Sequence, residues 1–245
     1  MRKLFLVLSL VGAAAEAQTS QMGFQLQTDS SYTQMSYKES QGAESTGFLA
    51  GARLELLMSL TGGARLGVSG RYSAGHLNYK GDTWLDTDVA ELSRDWVRDL
   101  RAGLYLGPSS SNLFIGYAQR LWSAKLPESF KRESSIDYLP IRFSAGAGGF
   151  FLAGEYRHWI KGSAISKLSA VDPARSDVEV EQEKGSGFAA EVGYVFASQA
   201  VATRLAITYE KWSVDPSSTV SDGIDNQQIP ENETTLLGFS IGISL

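Results

Sequence analysis

His76 in "RYSAGHLNYK" and His158 in "GEYRHWIKGS" are the only two imidazoles in the chain. Beside a serine or an aspartate, an imidazole is the natural base for hydrolysis near neutral pH. Ser73 and Ser163 are the nearby hydroxyls. In an extended segment alternate side chains point to opposite faces, so neither serine projects with its histidine. The acidic stretch "GDTWLDTDVAE" at 81–91 holds Asp82, Asp86 and Asp88, the raw material of an all-carboxylate mechanism. Its "DTD" is too short for a calcium-loop signature. No phosphate-binding loop or zinc motif is present. The sequence assigns no catalytic residue, no metal ligand and no cofactor, and the protein is not expected to be an enzyme.

These residues sit on segments of strong period-two character, the mark of strands. Ten strands are read at about 23–38, 47–60, 63–79, 92–106, 112–123, 135–147, 149–161, 186–197, 200–213 and 234–245. Four connections are tight and built from small residues: "TGG" at 61–63, "GPSSS" at 107–111, "GAGG" at 146–149 and "ASQA" at 197–200. Such compositions make hairpin turns. Five are longer and polar, at about 39–46, 80–91, 124–134, 162–185 and 214–233. Long and short connections alternate, so antiparallel neighbours would collect the long loops at one end and the short turns at the other. That sorting is expected of an outer-membrane barrel with external loops and periplasmic turns.

The faces support the same reading. Ala52, Leu54, Leu56, Met58 and Leu60 oppose Gly51, Arg53, Glu55 and Ser59, with Leu57 an exception. Leu66, Val68 and Tyr72 oppose Arg65, Gly67, Ser69 and Arg71, and the later strands repeat the scheme. Ten strands thus share one apolar face and one face of small and charged residues. Turned outward to lipid, the apolar face requires closure to satisfy every backbone group. Trp84, Trp96, Trp122, Trp159, Trp212, Tyr79 and Tyr117 are candidates for an interfacial girdle, although Trp122 and Trp159 have inward parity.

The amino terminus, "MRKLFLVLSLVGAAAEAQ", has a basic start, a short apolar run and an Ala-Glu-Ala site before Gln18. Residues 1–17 therefore read as a secretory signal peptide, and 18–245 as one barrel domain. Removing Arg2, Lys3 and Glu16 from the 22 basic and 27 acidic residues leaves 20 and 26. An acidic chain lacks the basic footprint of a nucleic-acid binder. The absence of cysteine excludes disulfide and thiolate chemistry.

Inward parity collects Arg53, Arg65, Arg71, Arg101, Arg120, Arg142, Arg157 and Arg204 with Glu55, Asp99, Glu155, Glu191 and Glu210. Charges in so narrow a space must be paired, hydrogen-bonded or wet. Two functions fit. One is a narrow channel for small solutes, its excess arginine favouring anions. The other is a non-conducting structural or surface-interaction barrel, filled by ion pairs, that displays acidic external loops.

The chain ends "TTLLGFSIGISL", with Leu237, Phe239, Ile241, Ile243 and Leu245 on one face and Gly238, Ser240, Gly242 and Ser244 on the other. This strand resembles the terminal assembly signal of Gram-negative outer-membrane β-barrel proteins, departing from its commonest form in ending on leucine rather than phenylalanine. The mature chain as a whole resembles that broad class. The resemblance implies an all-β, ten-stranded transmembrane antiparallel meander barrel in the cell outer membrane, with both termini periplasmic. Its implied partners are outer-membrane lipid, lipopolysaccharide and the barrel-assembly machinery, and it is expected to be monomeric. Ten-stranded members include proteases and adhesins. The protease pattern needs a histidine paired with aspartate on the inner wall of the rim, and both histidines here have outward parity.

Overall fold

The computed structural model describes residues 23–60, 63–81, 89–108, 110–125, 131–197 and 201–245. The signal-peptide segment, Trp84, Asp82, Asp86 and Asp88 lie outside the described residues. Ten strands form the barrel wall: β1 (Phe24–Glu39), β2 (Glu44–Ser59), β3 (Arg65–Gly81), β4 (Val89–Leu106), β5 (Ser111–Lys125), β6 (Lys131–Ala147), β7 (Phe150–Lys167), β9 (Gly185–Ala197), β10 (Ala202–Val214) and β13 (Asn232–Ser244). Three short strands lie in connections: β8 (Val178–Gln182), β11 (Val220–Ser221) and β12 (Asn226–Gln227).

Each wall strand pairs antiparallel with its neighbour in the chain, and β1 pairs with β13 to close the ring. The closing register runs from Gln27 opposite Ser244 to Glu39 opposite Asn232. Leu245 continues the ladder, exchanging backbone hydrogen bonds of 3.1 and 2.9 Å with Leu26. One irregularity interrupts the wall. Asp137 pairs with Lys161 and Tyr138 with Trp159, so Ile160 is an extra residue on β7. A bulge of this kind re-aims side chains. Here it lets Tyr138 and Trp159 face the interior while Ile160 and Lys161 stay outside.

The outer wall is apolar over its middle. Leu54, Val68, Leu100, Ile141, Leu152, Val192, Ile207 and Ile241 are all exposed, Leu152 at 62%. An apolar surface this continuous has its stable environment in lipid rather than water. Toward the loop end it is bordered by Tyr32, Phe48, Tyr72, Trp96, Tyr117, Tyr156, Phe188 and Tyr209. Tyr32 stacks on Phe48 with centroids 5.1 Å apart, and Tyr72 on Trp96 at 6.3 Å. These residues are an interfacial girdle, but not the one expected from the sequence. Of the described members of that set only Trp96 and Tyr117 face outward. Trp122, Trp159 and Trp212 lie inside, and Tyr79 shares the inward parity of Leu77.

The strands also run further toward the loop end than their alternation indicates. The first connection there is a four-residue turn, 40–43, with Gly42 at φ 104°. Glu39 N–H donates to Ala43 O at 2.8 Å and Gly42 N–H to Glu39 O at 3.0 Å. A left-handed φ of this kind is strained for residues bearing a Cβ. The two long connections, 168–184 and 215–231, carry structure of their own. β8 extends the sheet by pairing with the end of β7, from Gly162 opposite Gln182 to Ser166 opposite Val178. Ala164, Leu168, Val178 and Val180 form a small core there with Ile229 of the 215–231 connection.

Candidate functional site

The barrel interior is built in two layers. The layer nearer the short turns is charged, and the structure places every charged residue expected at the lumen on this inner wall. Glu210 on β10 accepts from Arg71 through a bidentate pair, from Arg157 at 2.9 Å, and lies 3.6 Å from Arg120. Glu155 on β7 contacts Arg157 at 2.6 Å, Arg101 at 3.0 Å and Arg142 at 3.9 Å. Asp99 on β4 meets Arg101 at 3.4 Å and Arg71 at 3.7 Å, and accepts from the Tyr138 hydroxyl at 2.9 Å. Glu191 on β9 binds Arg142 at 2.5 Å and Arg204 in a close pair. Glu55 accepts from the Tyr105 hydroxyl at 2.5 Å and lies 3.6 Å from Arg53. Arg65 sits nearest the turns, its guanidinium 5.5 Å over the Tyr105 ring.

One member of this layer was not recognised from sequence. Asp29 on β1 is buried, receives Arg53 at 2.8 Å and Arg204 at 3.2 Å, and links two otherwise separate arms of the network. Gly242 of the terminal strand makes room for it, since a Cβ there would stand 1.9 Å from Asp29 Oδ1. The small residues of that strand therefore accommodate a carboxylate, to which the arginines reach. The resulting chain of contacts runs unbroken from Glu55 through Arg53, Asp29, Arg204, Glu191, Arg142, Glu155, Arg101 and Asp99 to Arg71 and Glu210. It encloses a cavity of about 80 Å³, room for a few waters.

The second layer, toward the loop end, is apolar. Met35, Leu49, Leu77, Val97, Ala118, Tyr138, Trp159, Trp212 and Leu236 pack into one cluster across the lumen, and Ala189 of β9 is buried on the same inner wall. Every wall strand supplies one of them. Trp212 joins the two layers. Its ring meets Tyr138 edge-on at 5.0 Å and carries the guanidinium groups of Arg157 at 4.8 Å and Arg120 at 5.3 Å. Such cation–π contacts let charge border an apolar plug. Above it Trp122 donates to Asp95 at 2.8 Å, and Arg132 and the Tyr37 hydroxyl both donate to Glu39. The gap remaining at this level is a cavity of about 30 Å³.

The histidines do not join either layer. His76 and His158 are exposed on the outer wall, His158 beside Tyr156, while Ser73 is buried inside. Among the described residues no group of three or more metal-ligating side chains is assembled.

With the closed ring, the lipid-facing wall and the girdle in place, the architecture is decided. The chain is a transmembrane, multi-pass β-barrel of the outer-membrane type. No family model matches it, and no curated protein does. Among solved structures it is similar to the outer membrane protease OmpT from Escherichia coli, with a TM-score of 0.55 and 12% identity over 94% of this chain and 99% of that one. It also matches the translocator domain of autotransporter NalP from Neisseria meningitidis, at a TM-score of 0.46 and 10% identity over 99% of this chain and 94% of that one. The toluene transporter TodX of P. putida aligns at 0.36 and 9% identity over 93% and 90% of the two chains. At 12% identity the likeness to OmpT is one of fold alone.

Proposed function

We propose that this protein is a closed, non-conducting outer-membrane barrel whose rigid wall presents an ordered external extension for surface interaction. One observation carries the reading: an apolar residue from each of the ten strands is buried across the lumen above the charged layer. An ion crossing it would give up much of its hydration against packed apolar side chains. The channel reading rests on an excess of inward arginine, and Asp29 reduces that excess. Nearly every carboxylate of the layer is already bound to arginine, which favours a cross-strand scaffold over a wet conduit.

The external extension fits a presenting role. Glu179 and Glu181 of β8, with Glu183 beyond it, face outward and are exposed, while Val178, Val180 and Gln182 turn inward. Planar-bilayer recording on the folded protein tests the proposal. Inserted protein is expected to give no current steps; regular unitary steps from the unmodified protein would overturn it.

A further inference from the structure

Below the charged layer the barrel opens at the short-turn end into a vestibule of about 370 Å³. Arg53, Arg65, Arg101, Arg142 and Arg204 line it against one carboxylate, Glu55. Asp29, Glu155 and Glu191 bind these arginines from deeper in the wall, yet the account does not balance. Across the whole layer eight arginines face six carboxylates: Asp29, Glu55, Asp99, Glu155, Glu191 and Glu210. One of the two surplus cations lies at the vestibule, the other, Arg120, being against Trp212 on the far side of the layer. Arg65 meets no carboxylate among the described residues, its guanidinium resting on Tyr105 at the vestibule wall.

We propose that this vestibule is a blind binding site for a small oxyanion carrying two or more negative charges, of the phosphate or polycarboxylate class. Uncompensated guanidinium charge inside a low-dielectric wall focuses field on the open space and draws in counter-charge. Arginine also matches this class in shape, because its planar donors engage two oxygens at once. The volume lies at the lower end of ligand pockets, which suits a compact anion and excludes a large one. Asn112 and Ser144, joined by a 2.9 Å hydrogen bond on the same wall, set neutral polar groups beside the charge. The site is blind because the apolar layer lies above it, so the anion binds and leaves through the turn end.

The vestibule's charge carries this inference, and the closed lumen is a separate claim. Calorimetry reads the first and conductance the second, so each can fail alone. The experiment titrates inorganic pyrophosphate, and in parallel citrate, into the full barrel folded in zwitterionic micelles at low salt. One saturable site is expected, weakening as chloride is added. Arg65→Gln, at the rim, should weaken it about tenfold or more. Asn112→Asp, which adds a carboxylate to the wall, should do the same and serves if Arg65→Gln fails to fold. Arg98→Gln, on the outer wall, should bind as the unmodified protein does. Absence of saturable binding, unchanged binding in the vestibule variants, or equal weakening by Arg98→Gln would each overturn the proposal.

Discussion

Glu210 is bound by Arg71 and Arg157 and approached by Arg120, with only 3% of its side chain exposed. Removing its charge leaves Arg120 with no carboxylate and Arg71 and Arg157 with one each, in a buried layer. Glu210→Gln should therefore destabilise the barrel by about 3–5 kcal/mol, read as a lower midpoint in urea unfolding from lipid vesicles. Arg120 is different: its Nη1 makes no hydrogen bond, its nearest carboxylate is 3.6 Å away, and its guanidinium borders Trp212. Arg120→Met should leave stability within about 1 kcal/mol of the original or raise it; a loss comparable to that of Glu210→Gln would contradict the distinction. Gly242→Ala should cost about 1–3 kcal/mol by overpacking against Asp29, measured the same way. At this scale parity alone made the inward arginines and their carboxylates legible, because each alternates with apolar neighbours. Asp29 escaped because "TDSSYTQ" is polar on both faces, and its role depends on lying opposite Arg53 in the register. Trp212 escaped for a different reason: a tryptophan near a strand end reads as girdle until its even-numbered place beside Glu210 is weighed.

The wall strands were legible over the bilayer and blurred beyond it. Lipid on one side and a packed lumen on the other impose a strict period of two, whereas external segments meet water and need no such pattern. Hence β7 continues to Lys167, β8 forms where the alternation predicts only a loop, and the connection at 40–43 is short. The external elements are tied by a local latch. Asp222 is buried and accepts from the backbone N–H groups of Ile224 and Asp225, both at 2.8 Å. Arg175 reaches it at 2.5 Å and Gln227 at 2.9 Å. The backbone donor of Asp225, then that of Ile224 and the Arg175 and Gln227 side chains, hold its carboxyl far below the usual carboxylate range against the opposing effect of desolvation. A depressed folded pKa contributes stability above the unfolded value and loses it only as pH falls through the folded one. Amide protection at Ile224 and Asp225, corrected for intrinsic exchange, should hold from pH 7 to about pH 4 and fade only in stronger acid. Asp222→Asn should lower it throughout. Loss of protection between pH 7 and pH 5 in the unmodified protein would refute the latch.

At the scale of the molecule, closure was visible in the sequence and the filling of the lumen was not. Alternation, sorted connections and a terminal apolar-faced strand suffice for a lipid-embedded ring. The inward apolar residues are scattered singly through ten strands: Met35, Leu49, Leu77, Val97, Ala118, Trp212 and Leu236 each look like a lapse in a polar face, as Leu57 does. Only the registers of neighbouring strands assemble them into a layer. This layer closes the lumen, and comparative conductance tests that. The unmodified barrel and a variant with Met35, Leu49, Trp212 and Leu236 all replaced by alanine are recorded side by side in planar bilayers, each first shown to be folded by heat-modifiable electrophoretic mobility. A silent unmodified protein beside a conducting hollowed variant is the predicted result, and unitary current steps from the unmodified protein would contradict it.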